Sequence, residues 1–289
     1  MCWRLKKRRN TGERATQPRL RHHMTMKKYL VRPGHRASID DVDPDDVSLV
    51  KDKDHAAKRF SALQSRLAEL QELLFATHET KVLIVLQGMD TSGKDGVIRH
   101  VVASFNPQGT RVESFRQPTE EELDHDFLWR VHRKVPGNGE VAVFNRSHYE
   151  DVLVVRVHDL VPKPIWKQRY AQINEFERIL ASNGTLILKF FLHISKDEQR
   201  KRLQKRLEDP TKRWKFKMGD LTERKLWNEY QRAYEDALSK TSTQWAPWHI
   251  VPANHKWYRD YVVGSILVEE LERLQMKYPK TDVSGIVVT

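Results

Sequence analysis

Cysteine is nearly missing from this chain of 289 residues: Cys2 is the only one, so no intrachain disulfide can form. Long apolar runs are missing too. None approaches the ~20 residues that a membrane helix needs. No secretory pattern opens the sequence, because charges interrupt residues 3–36 too often. The expectation is a cytoplasmic protein with no membrane partner. Internal repeats and low-complexity linkers are also absent. What remains is ordinary globular material. Hydrophobic residues make up 39%, enough for a buried core, which argues against global disorder. The length admits one large domain or two small ones.

Charge is unevenly placed. Residues 1–36 hold twelve Lys/Arg against one acid, Glu13, and so carry +11 of the net +12. Such an arm can belong to a nucleic-acid protein. The plainer expectation is a disordered basic extension over 1–36, with Met24 and Met26 as alternative starts and no nucleic-acid partner. Residues 37–289 are expected to form a single domain.

Residues 54–77 carry Leu63, Leu67, Leu70 and Leu74 at helical spacing. A rhythm of short apolar runs and helical stretches follows. Strands are expected at Val82–Leu86, Arg111–Phe115, Val141–Phe144, Thr185–Leu192 and Trp248–Val251. Helices are expected from Lys94, over 120–134, over 165–181, along the charged stretch after 192, and over 258–276. Strands that alternate with helices imply βαβ units and a parallel sheet. The expected fold is a three-layer α/β/α sandwich around a five-stranded parallel sheet. Ligands of such sheets bind at the carboxyl ends of strands. The site is therefore expected from 87–96, 116–119, 145–151, 193–220 and the loop after 251.

Gly88–Lys94 fits G-x-x-x-x-G-K between an apolar strand and a helix, the context the phosphate-loop motif requires. Gly88, Gly93 and Gly96 let successive backbone N–H groups turn into one concavity, and Lys94 adds a point charge for phosphate oxygens. The Ser or Thr that often follows the lysine and holds Mg²⁺ is replaced by Asp95, and the loop also contains Asp90. An acid within a phosphate cradle suits a hard cation, so Asp90 is a candidate Mg²⁺ ligand. Asp95 either faces the substrate side or only complements the helix dipole.

Val141–Phe144 ends in Asn145 and Arg146, where a metal-binding aspartate would often stand. Asn145 can bind metal-bound water or phosphate. Arg146 can clamp a moving phosphoryl group by charge-assisted hydrogen bonds. Glu150 and Asp151 are further candidates for metal or base, and His148 and Tyr149 are expected to pack beside the site. Residues 199–217 hold nine Lys/Arg and two acids, and Asp209-Pro210 should end a helix there. Arg202 and Arg206 lie four apart on one helical face. A mobile basic lid over about 199–220, closing on a polyanion, is the expectation.

Four segments together resemble polyphosphate kinase 2: GMDTSGKDG (88–96), FNRSHYEDVL (144–153), DPTKRWK (209–215) and PANHKWY (252–258). The resemblance spans roughly residues 30–278. It implies a P-loop kinase fold similar to thymidylate kinase, with a helical lid. It implies Mg-dependent phosphate transfer between inorganic polyphosphate and ADP, AMP or ATP. The wording of the phosphate loop resembles the branch that takes AMP as well as ADP. Asp90, Lys94 and Arg146 become the core catalytic set, and Arg206, Lys212 and Arg213 would face polyphosphate. Many relatives have Asp where Asn145 stands. A homo-oligomer, dimer or tetramer, is implied as well. Two rivals differ in class: an ATP-dependent nucleoside, nucleotide or small-molecule kinase, and a nucleic-acid binder with a vestigial loop.

Overall fold

Apolar runs form the strands of one sheet: β1 (Lys81–Gln87), β2 (Thr110–Ser114), β3 (Val141–Asn145), β4 (Thr185–His193) and β5 (Trp248–Pro252). Neighbours are parallel throughout, in the order β2-β3-β1-β4-β5. Each strand lies within a residue or two of its expected bounds. The computed structural model describes residues 27–282 together with Ser284 and Val288. In β1 six consecutive residues, Val82 to Gln87, are buried. Both faces of this central strand are covered, which is why its sequence does not alternate. The edge strand β2 mixes half-buried and exposed positions.

The helices are α1 (Lys53–Thr77), α2 (Lys94–His100), α3 (Glu120–Leu123), α4 (Trp129–His132), α5 (Val154–Val157), α6 (Lys163–Ser182), α7 (Lys196–Glu208), α8 (Met218–Lys225), α9 (Trp227–Thr241) and α10 (Lys256–Arg273). Right-handed crossovers assign the layers. The chain moves one way along the sheet from β1 to β2 and the other way from β3 to β4 to β5. Consequently α2 lies on one face, and α6 and α9 on the other. α1 and α10 pack along each other, and α10 also packs on α2, so these three share a layer. Leu63, Leu67, Leu70 and Leu74 of α1 are all buried there, as their spacing predicts.

Two expectations change. The helix predicted over 120–134 is broken into α3 and α4. Thr119 and Glu122 form a capping box that starts α3, and the Asp126 carboxylate then accepts from Leu128 N–H and restarts the chain. The basic extension expected over 1–36 lies outside the described residues as far as residue 26. Residues 27–36 belong to the folded body instead. Tyr29 and Val31 are buried, Val31 N–H donates to the Trp248 carbonyl, and Ile250 N–H donates to the Tyr29 carbonyl. This segment covers the free edge of β5, whose unpaired backbone groups need partners.

Register aligns the carboxyl ends of the three central strands. Leu86 pairs with Asn145 on one side and Phe190 on the other. Arg146 N–H donates to the Leu86 carbonyl at 3.1 Å. The loops after β1 and β3 therefore begin side by side, where the direction of chain winding reverses.

Candidate active site

Gly88 to Gly93 wrap the end of β1 in a loop that requires glycine at its two ends. Gly88 and Gly93 have φ of 148° and 107°, a region that costs other residues a Cβ clash. Thr91 adopts φ 68° without that freedom, a local strain of the kind that persists where surroundings over-determine the backbone. A Cβ on Gly88 would meet the Leu192 carbonyl oxygen at 2.7 Å, and one on Gly93 would meet Arg259 Nη1 at 1.8 Å. The Gly96 position is also closed by Arg259, whose Nη2 would lie 2.6 Å from a Cβ. Arg259 is buried and paired with Asp260 at 2.6 Å. The glycines thus serve two ends, the turn itself and room for a guanidinium beneath it.

Lys94 is the first residue of α2 and is buried. Its ammonium donates to the Gly88 carbonyl at 2.6 Å. Burial lowers its pKa to about 8, and the Arg146 charge pushes the same way against Asp90, Glu150 and Asp95. Arg146 also has a left-handed backbone, φ 63°, which turns its side chain off the end of β3. Its Nη2 donates to Asp90 Oδ1 at 2.9 Å. Burial disfavours its charge, but Glu150 and Asp90 outweigh burial and hold it firmly protonated. Burial raises the Glu150 carboxyl above its ordinary range, opposed by Arg146 and Lys94. The loop after β1 and the loop after β3 therefore share one alternating set of charges: Lys94, Asp90, Arg146 and Glu150.

Asn145 sits in the same row. Its amide Nδ2 donates to Asp95 Oδ1 at 2.9 Å, which leaves the amide oxygen for another partner. Burial pushes the Asp95 carboxyl up, yet the Asn145 amide, Lys215, Lys94 and Arg206 together hold it below its usual value. Asp95 Oδ2 lies 3.7 Å from Lys215 Nζ, so this acid links β3, α2 and the lid. Asp151, at the far end of this loop, pairs with Arg169 at 2.9 Å, and burial raises its pKa to about 6. His148 and Tyr149 are buried packing residues, as expected. They stand on a dry network in which Lys189 Nζ meets Glu177 Oε2 at 2.6 Å and Tyr149 Oη at 2.8 Å.

The lid is α7, a short turn over Arg213–Lys215, and α8. α7 ends at Glu208, with Asp209 extended before Pro210. Arg202 and Arg206 lie on the one helix but turn to different partners. Arg206 points toward Asp220, 3.6 Å away, within electrostatic reach of Asp95. Arg202 is buried and donates to backbone carbonyls on the sheet side. Lys212 pairs with Asp209, and Arg213 Nε donates to the Leu207 carbonyl at 2.7 Å. Their polar contacts are local to the lid, whereas Lys215 reaches the phosphate loop.

The expected loops after β1 and β3 do meet, and they bring Asp90, Lys94, Asn145 and Arg146 together. Arg259 is not singled out by the sequence, whereas Gln199 and Lys215 fall within the expected basic lid without their contacts to the phosphate loop. The signal for Arg259 was the spacing of Gly93 and Gly96, which are tightest against it. Among the described residues no three His, Cys, Asp or Glu side chains are grouped to hold a metal ion. A protein cage for a transition metal is thus not what these residues make. The donors near the loop are oxygens: the Asp90 carboxylate, the Asn145 amide, and the buried, unpartnered Gln87 Oε1, Thr91 Oγ1 and Ser92 Oγ. That set fits Mg²⁺, which takes one or two carboxylates and completes its shell with water and phosphate. No helix among the described residues is long and apolar enough to cross a membrane.

The family model of polyphosphate kinase 2 matches residues 50–279. An AMP/ADP-polyphosphate phosphotransferase of Meiothermus ruber is 58% identical over 261 residues, covering 90% of this chain and 98% of that protein. An ADP-polyphosphate phosphotransferase of Rhodopseudomonas palustris is 44% identical and covers 88% of this chain and 92% of its own length. The crystal structure of a polyphosphate kinase 2 from Arthrobacter aurescens superposes with a TM-score of 0.85 at 47% identity, covering 88% of this chain and 92% of that one.

Proposed function

The chain belongs to the polyphosphate kinase 2 family, and from that premise we propose that it moves phosphate between inorganic polyphosphate and both ADP and AMP, with Mg²⁺ at Asp90. Phosphate transfer between polyphosphate and nucleotides is the family's reaction. The choice of both nucleotides rests on the 58% identity to a protein named for AMP and ADP together. The observation that carries the assignment of the site is the meeting of Lys94, Asp90 and Arg146 at the carboxyl edge of the sheet, with Arg146 2.9 Å from Asp90.

In this reading the terminal phosphoryl of polyphosphate lies over the loop of Gly88, Gly93 and Gly96. Lys94 and Arg146 neutralise its oxygens, and Arg206, Lys212 and Arg213 of the lid meet the rest of the polyanion. A nucleotide phosphate oxygen attacks the terminal phosphorus in line, the bond from that phosphorus to its bridging oxygen breaks, and polyphosphate one unit shorter leaves. The attacking oxygen is already an anion, so no general base is needed, and phosphoryl transfer depends on positioning and charge neutralisation. Asp90 and the Asn145 amide would hold Mg²⁺, which supplies further neutralisation of the phosphate oxygens. Asp95 orients Asn145 and Lys215 and stands behind the substrate. Closure of the lid excludes water that would otherwise hydrolyse the donor. A dimer or tetramer belongs to the same proposal and is read by light scattering.

The test is donor competition. The protein is incubated with polyphosphate, Mg²⁺ and either ADP or AMP, without added ATP, and the nucleotides are separated by chromatography. ATP from ADP and ADP from AMP are expected. Product from ATP plus a nucleoside, with none from polyphosphate, would instead support the ATP-dependent kinase.

A further inference from the structure

Three successive carbonyls of the phosphate loop are held from behind by one helix. Gln199 Nε2 donates to the Asp90 carbonyl at 3.2 Å. Arg202 Nη1 donates to the carbonyls of Thr91 at 2.9 Å and Ser92 at 3.2 Å. Both donors lie on α7, three residues apart and so on one face. Arg202 has further partners. Its Nη2 donates to the carbonyls of Ala253 at 2.6 Å and Asn254 at 2.8 Å, in the loop after β5. Its Nε donates to Glu198 Oε1 at 2.8 Å. The guanidinium has five N–H donors in a rigid fork, and the five acceptors use all of them. No donor is left for a substrate phosphate, and the side chain is only 7% exposed.

We propose that Arg202 is a positioning residue, which bolts the root of the lid helix to the phosphate loop and to the loop after β5. A peptide unit points its C=O and N–H in opposite directions. The Ser92 amide, opposite the Thr91 carbonyl, closes the turn by donating to the Met89 carbonyl at 3.0 Å, and drawing the Ser92 carbonyl toward α7 turns the Gly93 amide the other way, toward the concavity. The strained backbone of Thr91, φ 68°, is held in place by this contact. The first two turns of α7 are fixed by the same bonds and stay with the sheet. The moving part of the lid begins at Asp209-Pro210, where α7 stops. Arg224, which donates to the Lys196 carbonyl and to Gln199 Oε1, ties the far side of the lid back to the same root. The proposal rests on the phosphate loop being the site of transfer.

The test uses Arg202→Lys in the full chain, which keeps the charge and removes the fork. Two readouts are taken. The first is backbone amide hydrogen exchange over 88–96 and 253–255 without substrate, which does not depend on the donor or on catalysis. Faster exchange in both segments is expected, with the exchange of α6 and β4 unchanged. The second is polyphosphate-dependent turnover, where kcat is expected to fall about 100-fold, as for a misplacement of order 1 Å, with KM for the nucleotide changed far less. Added guanidinium should restore part of the turnover of Arg202→Ala, and ammonium should not. Exchange at wild-type rates in both segments overturns the proposal, as does a folded Arg202→Lys with kcat within twofold of wild type. If Arg202→Lys does not fold, Gln199→Leu, which removes the Asp90 tie together with the bond from Arg224, must raise exchange at 90–92, and its failure to do so overturns the proposal equally. A wild-type protein inactive on polyphosphate defeats the functional reading and leaves the exchange result standing by itself.

Discussion

Arg146 Nη2 lies 2.9 Å from Asp90 Oδ1, so a cation at the end of β3 is held by an acid in the loop after β1. Each restrains the other. Asp90→Asn keeps the shape and removes the charge that would attract Mg²⁺. The half-saturating Mg²⁺ concentration is expected to rise about 10–100-fold, measured by titrating activity with the metal. An unchanged requirement would remove Asp90 from the metal shell.

Lys94 gives a pH-dependent prediction. A lysine is cationic below its pKa, and burial has brought this one to about 8. kcat/KM for polyphosphate should be level on the acid side of about 8 and fall tenfold per unit above it. A bound polyanion favours the charged form, so the fall in kcat should come at higher pH. Lys94→Ala should abolish ATP formation from ADP with circular dichroism unchanged. Near-normal turnover in that variant would discard the assignment.

Gly93→Ala tests the space under the loop. Its Cβ would lie 1.8 Å from a buried Arg259 guanidinium, on backbone at φ 107°. Overpacking costs about 1–3 kcal/mol and the left-handed conformation about 1–2 more, so a loss of about 2–5 kcal/mol is expected in urea denaturation. Exposed Gly219, with nothing near its Cβ position, is the control. Gly219→Ala should change stability by less than about 1 kcal/mol.

Lys189 and Glu177 are wholly buried with 2.6 Å between charged atoms. Removing one partner strands the other, so Lys189→Met should cost about 3–5 kcal/mol. The double variant Lys189→Met/Glu177→Leu should be less destabilised than Lys189→Met alone, because no unpaired charge remains. Denaturation of the single and double variants reads the coupling, and additive losses would contradict it.

Much of this architecture is legible along the chain. The uninterrupted run over 82–86 announces a strand covered on both faces, and the glycine turn with Lys94 directly after it announces a phosphate site. Both signals are local, since strand burial and turn geometry are written in neighbouring residues. The break between α3 and α4 was not legible, because Asp126 restarts the chain through a hydrogen bond that competes with helix propensity. The segment from Tyr29 to Val31 was read with the basic arm, since charge counting does not reveal an uncovered sheet edge.

The family and the reaction follow from the sequence by itself: four ordered segments, the phosphate loop and the basic lid sufficed. Only the tertiary structure decided the direction of each lid cation. Arg202 and Arg206 share a helical face in projection, yet Arg202 turns to the carbonyls of Thr91, Ser92, Ala253 and Asn254, while Arg206 turns to Asp220. The reason is physical. A guanidinium goes where the most acceptors converge, and those acceptors come from segments about 50 and 110 residues away along the chain, brought together only when β1, β4 and β5 align their carboxyl ends.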